Sequence, residues 1–189
     1  MKNKITMLIF LITTLTVFYG NAQDDLQNDN SNSIETLTQK LNKIEPLTEK
    51  QYKKWTPKKV KDLKRSRYDI NTKIPHSEST SNLNLTYKND AKEIELVIID
   101  CAKNVDDMEM ILFAYDMDNQ FADKESKEEK PSKPAYIKKF NKEDNSSQIL
   151  FEINKRIAVS AIGKNMKPNE LWNYIKQLNI NKLIVDTQQ

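Results

Sequence analysis

Large apolar residues alternate with polar ones in two adjacent stretches, Leu83-Leu85-Tyr87 and Ile94-Leu96-Ile98. A period of two marks half-buried strands. A four-residue loop, Lys88-Asn89-Asp90-Ala91, sets Leu85 opposite Ile94 and Leu83 opposite Leu96, with every large apolar residue on one face. Val97, Ile99 and Cys101 then point to the second face, so the end of this strand is expected to be covered on both sides. Lys64 to Ile74 reads as a further strand. Three more follow downstream, Ala135 to Asn141, Ser147 to Ile153 and Ile157 to Gly163. A three-residue connection, Asn154-Lys155-Arg156, pairs Ile153 with Ile157, Phe151 with Val159 and Ile149 with Ala161; a two-residue turn would mix the faces.

Helical spacing appears elsewhere. Ser33 reads as an N-cap, with Ile34, Leu37, Leu41 and Ile44 on one face before Pro46. A second helical piece covers Thr48 to Trp55, and Thr56-Pro57 is expected to open one short helical turn through Leu63. Asn104 precedes a helix whose stripe is Val105, Met108, Ile111, Leu112 and Tyr115, with Asp106 and Asp107 suiting the positive end of its dipole. Pro168 opens a last helix with Leu171, Tyr174, Ile175 and Leu178 inward, and Ile180 and Leu183 are expected to pin the tail.

The order strand-strand-strand-helix thus occurs twice. The expected class is α+β: an antiparallel sheet of about six strands with two long helices on one face, a possible (βββα)x2 pseudo-repeat, preceded by N-terminal helices. The pattern places a single domain over 33–186.

The first residues give an address. Lys2 and Lys4 precede an apolar run from Ile5 to Tyr19 and small residues at Gly20 and Ala22. That pattern predicts a signal peptide over 1–22, too short for the roughly twenty apolar residues of a membrane span. Gln23 stands where a lipoprotein would carry its cysteine, so an exported, soluble, periplasmic or extracellular protein without an acyl or transmembrane anchor is expected. Residues 23–32 (QDDLQNDNSN) are polar and read as a flexible tether. Without Lys2 and Lys4 the 30 basic residues drop to 28 against 27 acidic ones, a balance that points to no nucleic-acid partner. One glycine, Gly163, follows the signal, too few for a phosphate loop or dinucleotide fingerprint. The sole cysteine, Cys101, cannot form an internal disulfide and reads as a small core residue, with an intermolecular disulfide or a reactive thiol as the alternative.

Against this even balance, 53–67 (KKWTPKKVKDLKRSR) carries eight basic residues and one acid. Lys53, Lys54, Lys58, Lys59, Lys61, Lys64, Arg65 and Arg67, interleaved with Trp55 and flanked by Tyr52 and Tyr68, could hold a polyanion such as lipopolysaccharide or an acidic glycan. The simpler reading packs Trp55, Val60 and Leu63 inward and leaves the lysines to solvate the outer face. Asp116 to Gln120 superficially opens a calcium loop, but Phe121 replaces the required glycine and Lys127 the bidentate glutamate. His76, the only histidine, lies in a polar loop; no metal or other cofactor and no catalytic residues are expected. No G-x-S-x-G turn supports a nucleophile. Met108, Met110, Tyr115 and Met117 have the spacing of core packing, or of an adaptable binding surface.

Three stretches carry a likeness beyond pattern: LTEKQYKKWTPKKVKDLKRSRYD, YKNDAKEIELVIIDC and FNKEDNSSQILFEINKRIAVSAIGKNMKPNELWNYIKQLNINKL. In these the chain resembles a family of exported bacterial α+β proteins whose shared motifs are structural rather than catalytic. The resemblance implies a small domain of the cell envelope and transfers no site residues. The expected role is a non-catalytic binding or assembly domain for an envelope protein or a polyanionic ligand, with an envelope hydrolase as the third reading. A sheet face lined by Leu150, Ala158, Ile162, Val97 and Ile99 is the candidate surface for a partner, unless the helix at 34–44 covers it.

Overall fold

The computed structural model describes residues 27–73, 81–121 and 136–185. The expected signal peptide, His76 and the first four residues of the tether lie outside them. The chain divides into two units after Thr36, and the second, Leu37–Gln189, carries the sheet. In chain order the elements are α1 (Gln27–Asn42), α2 (Glu49–Trp55), β1 (Lys59–Val60), β2 (Leu63–Ile70), β3 (Asn82–Lys88), β4 (Glu93–Asp100), α3 (Asp106–Phe121), β5 (Tyr136–Asn141), β6 (Ser146–Ile153), β7 (Ile157–Lys164), α4 (Pro168–Leu178) and α5 (Lys182–Val185). α1 starts at Gln27, ahead of Ser33 and inside the stretch read as a tether. Among the described residues no helix is long and apolar enough to cross a membrane.

The class is α+β, and all strands form one antiparallel sheet of order β1-β2-β3-β4-β7-β6-β5. The seventh strand is β1, where a helical turn was expected. Apolar residues three apart fit either one turn of helix or two strand ends around a two-residue turn. Val60 and Leu63 are a directly opposed pair, both buried, and Lys61 takes a positive φ of 51° to close the hairpin. The β6–β7 register is the expected one. The β3–β4 register is slipped by two residues: Leu85 faces Leu96 and Tyr87 faces Ile94. A two-residue slip keeps every side chain on its face, so alternation alone does not distinguish the two. Asn89 decides it, because its side-chain oxygen accepts from the backbone N–H groups of Ala91 (2.9 Å) and Lys92 (2.8 Å), fixing the loop at 89–92.

The helices divide between the faces, which corrects the expected placement of both long helices on one. On the first face α4 buries Leu171, Tyr174, Ile175 and Leu178 with Leu83, Leu85, Leu96, Ile149 and Val159. Here Gly163 leaves room for the helix side: a Cβ would lie 2.6 Å from Met166 Sδ and 3.1 Å from Leu171 Cδ1, so the flexible Met166 side chain would have to move. On the second face Leu37 and Leu41 of α1 and Met108 and Ile111 of α3 pack with Cys101 and Ala158, joined by Ile44, Ile99 and Leu150. The sheet halves β2-β3-β4 and β7-β6-β5 are related by a half-turn perpendicular to the sheet. Such a rotation leaves each face on its own side and would put both following helices on the same face. The pseudo-repeat therefore extends to the strands and stops at the helices.

Candidate functional site

Two polar arrangements stand out, one buried and one exposed. The buried one closes the end of the sheet. Asp100, the last residue of β4, and Arg156, in the β6–β7 turn, form a bidentate pair: Nε to Oδ1 and Nη2 to Oδ2, each 2.9 Å. Their side chains are 0% and 7% exposed. The carboxylate also accepts from Leu47 N (2.7 Å) and Ala102 N (3.1 Å), and Arg156 Nη2 donates to the Glu45 carbonyl (3.0 Å). Beside it, Ser81 Oγ donates to the Leu47 carbonyl (2.8 Å) and Tyr52 OH lies 3.2 Å from Ser81 Oγ, while burial pushes the Tyr52 phenol up. With both carboxylate oxygens doubly engaged, the group has no lone pair directed at a ligand. It is a clasp holding the α1–α2 connection to the sheet. The partners lie 56 residues apart, and only the register of β4 on β7 brings them together.

The exposed arrangement grows from the basic segment, whose charges the fold separates. Lys53 is paired with Glu49 one helical turn away, and hydrogen bonding to that carboxylate raises its pKa. Arg67 is bonded to Asp69 at 2.5 Å. Arg65 donates to the Thr56 carbonyl (3.4 Å) and lies 4.7 Å from the Tyr68 ring centre; Lys61 lies 4.8 Å from that of Tyr174. Lys54 is exposed on α2 and Lys58 just before β1. Trp55 is half-buried: it packs against the core, and its indole N–H donates to the Asn179 carbonyl (3.3 Å).

What the fold brings together is a row. Lys59 of β1 is directly opposite Lys64 of β2, which is directly opposite Lys88 of β3. Directly opposed residues share a face, so three exposed ammonium groups line up across three adjacent strands on the second face. Among the described residues none of the three has a carboxylate partner in ion-pair contact. The row ends at β4, where Glu93, opposite Lys88, bonds Lys164 (2.5 Å). Desolvation alone would lower the Lys164 pKa; its bonds to Glu93 and Glu95 overcome that and raise it. Lys88 was outside the basic segment, and nothing local marks it. Only the β2–β3 pairing, across the long connection 71–81, would have found it.

The hairpin that carries Lys59 and Lys64 is tied to α4 through Asp62, which accepts from Tyr174 OH and Asn89 Nδ2, each 2.7 Å. The Tyr174 bond is the main cause holding the Asp62 carboxyl below its usual range, with its own backbone N–H, Lys92 and Lys59 assisting against some desolvation. Tyr174 itself is pushed up to about 12, first by burial and then by its bond to Asp62. A depressed carboxyl contributes stability above its unfolded pKa and loses it as pH falls through the folded one. Tyr174→Phe is therefore expected to lower the urea midpoint at pH 7, with the gap to wild type shrinking below the carboxylate range. A gap of constant size down to that pH would assign the hydroxyl's effect to packing instead.

The remaining expectations resolve simply. Cys101 is fully buried and burial raises its thiol pKa, consistent with a core residue. Asp116 to Gln120 lie within helix α3, not a loop. Val97 and Ile162 are half-buried, but Leu150, Ala158 and Ile99 belong to the cluster under α1 and α3, so that face is covered at this end. Among the described residues no three His, Cys, Asp or Glu side chains are grouped to hold a metal ion. Compared with protein-family models, curated proteins and solved structures, the chain has no match.

Proposed function

We propose that this chain is an exported, non-catalytic binding domain of the bacterial envelope and that it binds a polyanion through Lys59, Lys64 and Lys88. The observation that carries this reading is the cross-strand row itself. Like charges directly opposite each other destabilise a sheet, yet here three lysines stand in register and, among the described residues, none is in ion-pair contact with a carboxylate. A ligand with repeated negative charge relieves that repulsion and releases its own counterions on binding. The signal-like N-terminus supports an encounter outside the cytoplasm.

The test is binding of the mature protein to immobilised heparin, with Lys59→Gln, Lys64→Gln and Lys88→Gln combined. At up to about 1 kcal/mol per exposed ion pair, the triple variant is expected to bind about tenfold or more weakly. Its thermal midpoint should be unchanged or higher, because the repulsion is gone. Replacing Lys53 and Arg67, which already have internal partners, should cost much less. Retention that is unaffected by the triple substitution would remove the proposal.

A further inference from the structure

We infer that the outer side of α3 is a docking surface for a cationic amphipathic segment of a partner protein, a surface separate from the lysine row. The helix carries more apolar side chains than the sheet covers. From Met110 to Tyr115 it reads MILFAY, six apolar residues in succession. At about 3.6 residues per turn such a run passes right round the helix axis. Met108 and Ile111 lie in the cluster on the second face, whereas Met110 and Phe113 are 44% and 42% exposed. Three residues apart on a helix, these two form one patch. A helix that is apolar on both sides is ordinarily buried on both. Residues 122–135 (ADKESKEEKPSKPA), which follow the helix, hold no large apolar residue to cover the patch.

Charge identifies the kind of partner. The sequence of α3 has five acidic residues, Asp106, Asp107, Glu109, Asp116 and Asp118, and no basic one. Asp107 is turned inward, buried and bonded to Asn104. Asp106 is exposed and Glu109 half-exposed, and they stand four residues before Met110 and Phe113, so each apolar side chain has a carboxylate on the turn beside it. Among the described residues neither Asp106 nor Glu109 is in ion-pair contact. An anionic lipid surface would be repelled by these carboxylates, and the same helix of a second copy would set acid against acid. A segment in which Lys or Arg brackets large apolar residues satisfies the patch and its rim together. Methionine suits such a surface, because its unbranched thioether adapts to the side chain it meets. Recognition then follows the helix-face mode, with Met110 and Phe113 as anchors at i and i+3.

The experiment is fluorescence anisotropy of the mature protein with three labelled peptides, each about fifteen residues long to allow a helix. One sets leucine and lysine in helical period, the second replaces each lysine by glutamate, and the third keeps the leucine and lysine composition out of period. The periodic cationic peptide is expected to bind about tenfold or more tightly than either of the others. Combining Met110→Ala and Phe113→Ala should weaken it about tenfold, as for the anchors of an interface, with the thermal midpoint unchanged because both side chains are exposed. Combining Asp106→Asn and Glu109→Gln should weaken it severalfold and flatten its salt dependence. No measurable binding of the periodic cationic peptide, equal binding of the acidic one, or binding indifferent to Met110 and Phe113 would overturn the inference. So would a dimer of the protein alone in sedimentation velocity that Met110→Ala and Phe113→Ala abolish, because the patch would then belong to a second copy.

Discussion

Arg156→Met is expected to lower the unfolding free energy by about 3–5 kcal/mol, the usual cost of stranding one member of a buried ion pair. Asp100 is fully buried, and the substitution removes both of its guanidinium hydrogen bonds while leaving its charge in place. It also leaves the Glu45 carbonyl without the guanidinium that ties the α1–α2 connection to the sheet. Asp100→Asn should be costly for a different reason. One amide oxygen cannot replace two carboxylate oxygens toward Leu47 N and Ala102 N, and each unsatisfied buried donor costs about 1–3 kcal/mol. Because the two side chains form one unit, the double variant should cost less than the sum of the singles, with a coupling of about 0.5–3 kcal/mol. Guanidinium denaturation of the four proteins measures the cycle. Additive losses, or an Arg156→Met cost below about 1 kcal/mol, would show that the pair does not act as a buried clasp.

The second large effect falls on the other face of the sheet. Leu41→Ala should cost about 2–5 kcal/mol, as for other fully buried leucines. Leu41 is 0% exposed and belongs to the cluster with Cys101, Met108, Ile111 and Ala158. Met110→Ala on the outer side of α3, where the side chain is 44% exposed, should stay within about 0.5 kcal/mol. A second readout separates loss of covering from a general loss of stability. Cys101 lies in the same cluster, so labelling of its thiol in the folded protein should quicken in Leu41→Ala far more than in Leu171→Ala, a comparable truncation on the first face. Equal labelling in both would mean that α1 does not shield this face.

Much of the fold was legible because its signals are local. Alternation located β3, β4, β6 and β7, Pro168 and a four-residue stripe located α4, and the β6–β7 register followed because a one-residue change would expose Ile153, Phe151 and Ile149. What was not legible depends on comparisons that alternation cannot make. A slip of two preserves faces, so the β3–β4 register awaited Asn89 and its loop. Val60 and Leu63 fit a helical turn as well as a hairpin. Which face a helix takes depends on the path of its connection, and the stripe on α3 says only that it needs a partner. The site shows the same limit. Composition drew attention to 53–67, but most of those charges find partners inside the fold, and Lys88 joins the row from outside the segment through strand pairing alone.

The Asp62–Tyr174 bond spans 112 residues, the Arg156 bond to the Glu45 carbonyl 111, and the Trp55 bond to the Asn179 carbonyl 124. These contacts tie the beginning of the second unit to its last third. Topologies dominated by such distant pairings fold slowly, because chain closure must precede the contacts that reward it. In a nascent chain that has produced only α2 and the β1–β2 hairpin, the Asn179 and Tyr174 partners of Trp55 and Asp62 are not yet made. The lysine row is therefore expected to become a fixed surface only once β3 has paired with β2 and Asp62 has met Tyr174 of α4.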